Sequence, residues 1–204
     1  MIRAIIFDSD GTLFNSSELG KITLLDLCKK NNLVFDEKKY YLYTGFTRKD
    51  KFLGLFPNEF DKLWPVWDKA YTEKYEEFAR IFPEVMDTIK SLKEKGILLF
   101  IFSTKKAYLI KQALDKFDLS DYFLEVIGGE FDPIKPDPKA IENILKKYDL
   151  KKEELFLVGD SKVDLDSAKN ANINFVLVDH KKKSKITTYY KKINYFSEIN
   201  DLLN

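Results

Sequence analysis

Two aspartates two residues apart, Asp8 and Asp10, close the apolar run Ala4-Ile5-Ile6-Phe7 and lead into Gly11-Thr12-Leu13-Phe14. In a strand, residues i and i+2 share a face. In the turn after a strand they can converge on one point, and Gly11 permits that turn. Two carboxylates ending a buried strand repel each other and lose hydration, so a cation is needed to offset them. A metal ion is the natural candidate. A carboxylate held beside Mg²⁺ can attack phosphorus and form an aspartyl phosphate. The same residue types also build an ordinary turn. A helix-flanked calcium loop fits less well, because it needs a Glu about six residues after the Gly. Here Glu18 comes seven residues after Gly11.

Three later segments bear on the choice. Leu99-Phe100-Ile101-Phe102 ends in Ser103-Thr104-Lys105, where hydroxyls at the start of a helix suit either phosphate binding or simple capping. In Lys135-Pro136-Asp137-Pro138 two prolines stiffen a loop. Lys135 is therefore either aimed at a phosphate or a plain turn lysine. Leu157-Val158-Gly159-Asp160-Ser161-Lys162-Val163-Asp164 repeats the logic of the first motif: strand, Gly, Asp at the tip. A helix beginning near Ser161 puts Asp160 and Asp164 on one face. Capping explains Asp160 but hardly Asp164.

These residues need a scaffold. Five apolar runs read as buried parallel strands: Arg3–Phe7, Ile97–Phe102, Glu125–Ile127, Leu155–Val158 and Phe175–Val178. Amphipathic helical stretches alternate with them. One carries Val85, Ile89 and Leu92 and stops at Gly96; another carries Leu109, Ala113, Leu114 and Phe117. A third carries Ile141, Ile144, Leu145 and Tyr148, with Asp137 as its cap and Pro138 at its first position. The last runs from Ser161 through Leu165 and Ala168 to Asn172, a residue suited to a left-handed helix end. Alternation of this kind predicts an α/β fold, a doubly wound parallel sheet with its site at the carboxyl ends of the strands. Asp8, Ser103 and Asp160 all fall there.

Residues 15–81 break the pattern. They show no clear strand, several helical stretches and dense aromatics, and read as a helical insert after the first strand. Trp64, Trp67, Tyr71, Tyr75 and Phe78 repeat at helical spacing, which points to packing. The loop Thr44-Gly45-Phe46-Thr47-Arg48-Lys49 sits within the insert.

Composition limits the partners. The chain has 204 residues, 45% of them apolar, enough for a substantial core. Its 34 Lys and Arg against 33 Asp and Glu leave a net charge of +1, with no general attraction to nucleic acid or anionic membranes. Cys28 is the single cysteine, so no intramolecular disulfide is possible, which suits a reducing compartment; it falls on a core-facing helical position. His180, the single histidine, reads as a loop residue heading the basic stretch 180–185, a solvated loop. A lone histidine argues against a His-based metal site or a Ser-His-Asp triad. No apolar stretch approaches the ~18 residues of a membrane span. The run Ala4–Phe7 is too short for a signal peptide. A soluble, cytoplasmic protein is expected, monomeric or homodimeric.

Taken together and in this order, Asp-x-Asp-Gly-Thr, Ser-Thr, Lys-Pro-x-Pro and Gly-Asp-x-x-x-Asp resemble the haloacid dehalogenase superfamily of phosphatases. The resemblance covers essentially the whole chain and is to the subgroup with a helical cap between the first and second motifs. Gly128-Gly129-Glu130 leading into Lys135-Pro136-Asp137-Pro138 resembles phosphoglycolate phosphatase-like members. It implies a catalytic core of residues 1–14 and 82–204 and a cap of residues 15–81. It implies Asp8 as nucleophile and Asp10 as the acid and base. Mg²⁺ would be held by the Asp8 and Asp160 carboxylates and the Asp10 carbonyl, with Asp164 orienting its waters or Lys135. Ser103, Thr104 and Lys135 would bind the phosphoryl group, and Arg48 would meet a second anionic group. The substrate would be a small phosphorylated metabolite: phosphoglycolate, a sugar phosphate or a nucleotide. Members cleaving C–halogen or C–P bonds lack an acid at the position of Asp10. Ser103-Thr104 departs from the commoner Thr-Asn or Ser-Asn. A β-phosphoglucomutase-type mutase is the nearest alternative, since Gly45-Phe46-Thr47-Arg48 faintly resembles its substrate loop. A phospho-receiver domain or a non-enzymatic binding protein is a remote one.

Overall fold

The computed structural model describes residues 1–43, 46–130, 132–180, 182 and 184–203. In chain order the elements are β1 (Ala4–Phe7), β2 (Phe14–Asn15), α1 (Ser17–Lys30), α2 (Glu37–Leu42), α3 (Arg48–Leu55), α4 (Phe60–Phe78), β3 (Arg80–Ile81) and α5 (Val85–Glu94). There follow β4 (Leu98–Phe102), α6 (Ala107–Lys116), β5 (Glu125–Ile127), α7 (Lys139–Lys147), β6 (Leu155–Gly159), α8 (Lys162–Ala171), β7 (Asn174–Val178) and β8 (Lys191–Ile193).

Six strands form one sheet in the order β5-β4-β1-β6-β7-β8, every neighbouring pair parallel. The period of two sorts their side chains onto opposite faces. Ile5, Phe7, Leu99, Ile101, Phe156 and Val158 pack on one side with Ile89 and Leu92 of α5 and Leu109 and Ala113 of α6. Ala4, Ile6, Phe100, Leu155 and Leu157 pack on the other with Ile141 and Ile144 of α7 and Leu165 and Ala168 of α8. Both faces are covered, which is why these strands read as unbroken apolar runs. Strand β1 lies between β4 and β6, with Phe7 opposite both Ile101 and Val158. That register draws the ends of β1, β4 and β6 to one edge of the sheet.

The structure corrects the sequence reading in four places. A sixth strand, β8, pairs with β7; its Lys191-Lys192-Ile193 carries one inward apolar residue, too little to signal a strand. The insert is flanked by a two-stranded antiparallel ribbon in which Phe14 faces Ile81 and Asn15 faces Arg80. Two-residue strands have no period to read. Helix α7 starts one residue later than expected: Pro138 is its cap, and the Asp137 carboxylate accepts from the Lys139 amide at 2.9 Å. Helix α6 starts at Ala107, not directly after Ser103, and the Glu130 carboxylate accepts from the Ala107 amide at 2.8 Å. That amide is therefore committed within the protein.

Helices α1 to α4 bury their own aromatic cluster, in which Phe52 stacks on Trp67 at 5.5 Å and Cys28 is buried. Trp67 and Trp64 pack as the helical spacing implied. His180 lies in the turn after β7, but half-buried: its ring stacks on Phe82 at 3.8 Å and Nε2 lies 3.0 Å from the Thr12 carbonyl. It braces the loop after β1. Of the basic stretch it heads, Lys181 and Lys183 lie outside the described residues, as do Thr44 and Gly45 of the loop before Arg48.

Several helix ends sit in the left-handed region, among them Asn172 at φ 55° after α8 and Gly96 at φ 75° after α5. A Cβ on Gly96 would meet nothing within 4 Å. Gly96→Ala therefore isolates backbone strain and is expected to lower stability by about 1 kcal/mol, read as an earlier urea midpoint with an unchanged slope.

Candidate active site

The loop after β1 turns sharply back on itself: Leu13 and Phe14 both donate to the Ser9 carbonyl at 2.9 Å, and the Gly11 amide donates to the Phe14 carbonyl at 2.8 Å. Gly11 has φ +86°, and a Cβ there would lie 2.3 Å from the Asp160 carboxylate. No side chain fits. The bare glycine lets the tips of β1 and β6 close on each other.

Three carboxylates, Asp8, Asp160 and Asp164, come within 4.8 Å of one another there. Lys135 enters from the Pro-rich loop and lies beneath them, 5% exposed. Its Nζ donates to Asp8 Oδ1 at 2.8 Å and also to Asp164 Oδ1. The second oxygen of Asp164 accepts from the Ser161 amide at 3.0 Å and the Ser161 hydroxyl at 2.6 Å. Both oxygens of Asp164 are thus engaged, so it anchors Lys135 and the start of α8. Asp160 has no such partner among the described residues.

The charges do not balance. Burial pushes the Asp8 carboxyl up to about 7 despite Lys135, and Asp164 and Asp10 add to the rise. Asp160 is pushed well above the usual carboxylate range by burial first, then by Asp164 and Asp8. Lys135 is raised, its two carboxylate partners outweighing its own burial. Three acids against one lysine, with oxygen donors only, fit a hard divalent cation such as Mg²⁺. Protons compete for the same oxygens, so affinity for Mg²⁺ or Mn²⁺ is expected to fall about tenfold from pH 8 to pH 6. Metal titration at the two pH values checks this.

A cavity of about 940 Å³ opens above the cluster, lined from the sheet by Asp8, Asp10, Ser103, Thr104, Asp160 and Asp164, and from the insert by residues that include Arg48, Lys51 and Tyr71. Ser103 is buried and its Oγ accepts from the Lys105 amide at 3.3 Å. Arg48 pairs with Asp68 at 2.5 Å and lies over the Tyr71 ring at 4.0 Å, while its buried Nε and Nη1 have no hydrogen-bond partner among the described residues. Asp68 also takes Lys106 Nζ at 2.8 Å, a bridge from α4 to the loop before α6.

All eight residues singled out in the sequence come to this one region, seven on the cavity wall and Lys135 behind it. The sequence reading missed the side chains that hold Asp10. Its Oδ2 takes Lys105 Nζ at 2.6 Å, and its Oδ1 takes the Ser16 hydroxyl at 2.5 Å and the Tyr75 hydroxyl at 3.4 Å. The one available signal was Lys105 directly following the two hydroxyl residues.

Comparison with known proteins agrees with this geometry. A family described as haloacid dehalogenase-like hydrolase matches residues 5–178. The pyrophosphatase PpaX of Oceanobacillus iheyensis is 28% identical over 95% of this chain and 90% of its own. The phosphoglycolate phosphatase of Aquifex aeolicus is 30% identical over 86% of this chain and 84% of its own. A crystal structure of a predicted phosphoglycolate phosphatase from Haemophilus somnus superposes with a TM-score of 0.88 at 22% identity, covering 100% of this chain and 98% of that one.

Proposed function

The chain belongs to the haloacid dehalogenase-like hydrolase family, and from that premise we propose that it is a phosphatase acting on a small phosphomonoester through a phosphorylated Asp8. The observation that carries the reading is the Asp8–Lys135–Asp164 chain set beside Asp160 on the cavity floor.

An Asp8 oxygen attacks phosphorus. The bond from phosphorus to the leaving oxygen breaks, and Asp10 gives that oxygen its proton. Water then attacks the same phosphorus, Asp10 takes a proton back, and the Asp8–phosphorus bond breaks to release inorganic phosphate. Ser103 and Thr104 donate to the phosphoryl oxygens, and Lys135 offsets their charge through Asp8. Asp8, Asp160 and the Asp10 carbonyl would hold Mg²⁺, whose charge stabilises the phosphoryl oxygens. Asp164 keeps Lys135 in place.

Residues 15–81 act as a cap that shuts water out of the cavity. The two Arg48 nitrogens that lack a partner among the described residues suit a second anionic group on the substrate. Pyrophosphate and phosphoglycolate, the compounds in the relatives' names, both carry one.

The test is phosphate release from phosphoglycolate, sugar phosphates, nucleotides and pyrophosphate, with and without Mg²⁺. Mg²⁺-dependent release that is fastest on esters bearing a second anion supports the reading. Isomerised sugar phosphate without free phosphate would replace it with a mutase.

A further inference from the structure

We propose that Lys105 is a positioning residue for Asp10: it fixes the carboxylate that moves the proton in both halves of the reaction, and it ties that carboxylate to the seating of α4. The inference rests on the two-step reading above.

Lys105 leaves the end of β4 two residues after Ser103, and its side chain is only 4% exposed. A buried ammonium needs partners. It has three: Asp10 Oδ2 at 2.6 Å, the Tyr71 hydroxyl at 2.6 Å and the face of the Tyr75 ring at 3.7 Å. The Tyr71 ring lies 4.8 Å away. A compact ammonium on a flexible stem suits so close a set of unlike partners better than a planar guanidinium.

Asp10 is held as tightly from its other side, by Ser16 and Tyr75. Its carboxylate is 36% exposed, and it lines the cavity. The group is thus open to substrate on one side and fixed on the other by residues from three places: the loop before α1, helix α4 and the loop after β4. General acid–base groups lose effectiveness when displaced by fractions of an ångström. Both tyrosines belong to α4, within the insert. Where α4 sits therefore decides where Lys105 sits, and Lys105 decides where Asp10 points. The Lys105 amide also donates to Ser103 Oγ at 3.3 Å, so one residue spans the phosphoryl-binding hydroxyl and the proton carrier.

The two half-reactions make this testable. A nitrophenyl ester needs no acid to leave, so phosphorylation of Asp8 proceeds without Asp10, whereas hydrolysis of the aspartyl phosphate still needs it. Lys105→Met is expected to lower steady-state turnover about 100-fold with KM changed less than about threefold. With p-nitrophenyl phosphate it should release one equivalent of nitrophenolate per enzyme in a rapid burst. A loss of packing would slow both steps and give no burst. Tyr71→Phe keeps the lysine charge and guards against a Lys105 variant that does not fold; a smaller loss with the same burst is expected. Loss without a burst, or turnover within about threefold of wild type in both variants, overturns the role of Lys105. Asp10→Asn is run alongside. A burst there and none in Lys105→Met removes only the lysine's role; no burst in either removes the two-step reading beneath it.

Discussion

Asp8→Asn is expected to reduce phosphate release by roughly ten-thousand-fold or more, the scale seen when a nucleophile is removed from an otherwise complete site. The fold should survive, because Asn keeps the shape and the acceptor that Lys135 Nζ meets at 2.8 Å. Stability should move the other way. Asp8 is raised from 3.8 to about 7 by burial, so its ionised form is disfavoured in the folded protein. The folded state then binds more protons than the unfolded one, and metal-free stability falls as pH rises from about 4 to about 7. Asp8→Asn removes that loss. Without divalent ions at pH 8, the variant should melt above wild type while remaining inactive. With Mg²⁺ the order should narrow or reverse, since a ligand is gone. Thermal melts at two pH values, with and without Mg²⁺, check this; a wild type that melts higher than the variant in chelator at pH 8 contradicts it.

The second large effect concerns Lys135. Its side chain is 1% exposed, and its ammonium is bonded to both Asp8 and Asp164. Lys135→Met keeps much of the volume but leaves the buried carboxylates of Asp8 and Asp164, with the half-buried Asp160 beside them, without the cation that bonds them. Removing one partner from a buried ion pair costs on the order of 3–5 kcal/mol, mostly the penalty of the stranded charge. Loss of that size should appear in urea unfolding at pH 8. It should shrink at pH 5, where the raised carboxyls of Asp8 and Asp160 accept protons. Mg²⁺ should recover part of it at pH 8, because the ion takes over the neutralising role, while turnover stays low. A stability loss independent of both pH and Mg²⁺ would mean that Lys135 serves packing alone.

The central scaffold was legible because its chemistry is local. The runs ending at Phe7, Phe102 and Val158 are apolar on both faces, as a strand covered on both sides must be. The acids at their tips stood out by recurrence, a strand followed by Asp8 and Asp10 and again by Asp160 and Asp164, although capping explains Asp164 better than the sequence implied, since its carboxylate accepts from the Ser161 amide at the start of α8. Lys135 stood out through its prolines. Strand β8 did not, since a three-residue edge with two lysines carries almost no pattern. The environment of Asp10 was hidden for a different reason. Tyr71 and Tyr75 are four apart on α4, and their rings are buried as that spacing implies. Periodicity reports where a ring goes and nothing about where its hydroxyl ends. That is set by the approach of α4 to the loop after β4, a long-range arrangement with no local trace. Ser16 precedes a helix start, where serine is common as a cap, so its residue type alone does not mark it as a partner of Asp10.

The β2–β3 ribbon has a broader consequence. Because Phe14 and Asn15 pair with Ile81 and Arg80, the chain departs from the sheet and returns to it at neighbouring points. An excursion whose ends already touch adds little loop-closure cost to the sheet, whatever its length. The segment between them has an apolar cluster of its own in Phe52, Trp67 and their neighbours. Such a segment can be lengthened, shortened or exchanged for another without disturbing the strands that carry Asp8 and Asp160. Selectivity can therefore drift along this chain ahead of chemistry but not free of it: any grafted excursion must still supply the groups that Tyr71 and Tyr75 bring to Lys105 and Asp10.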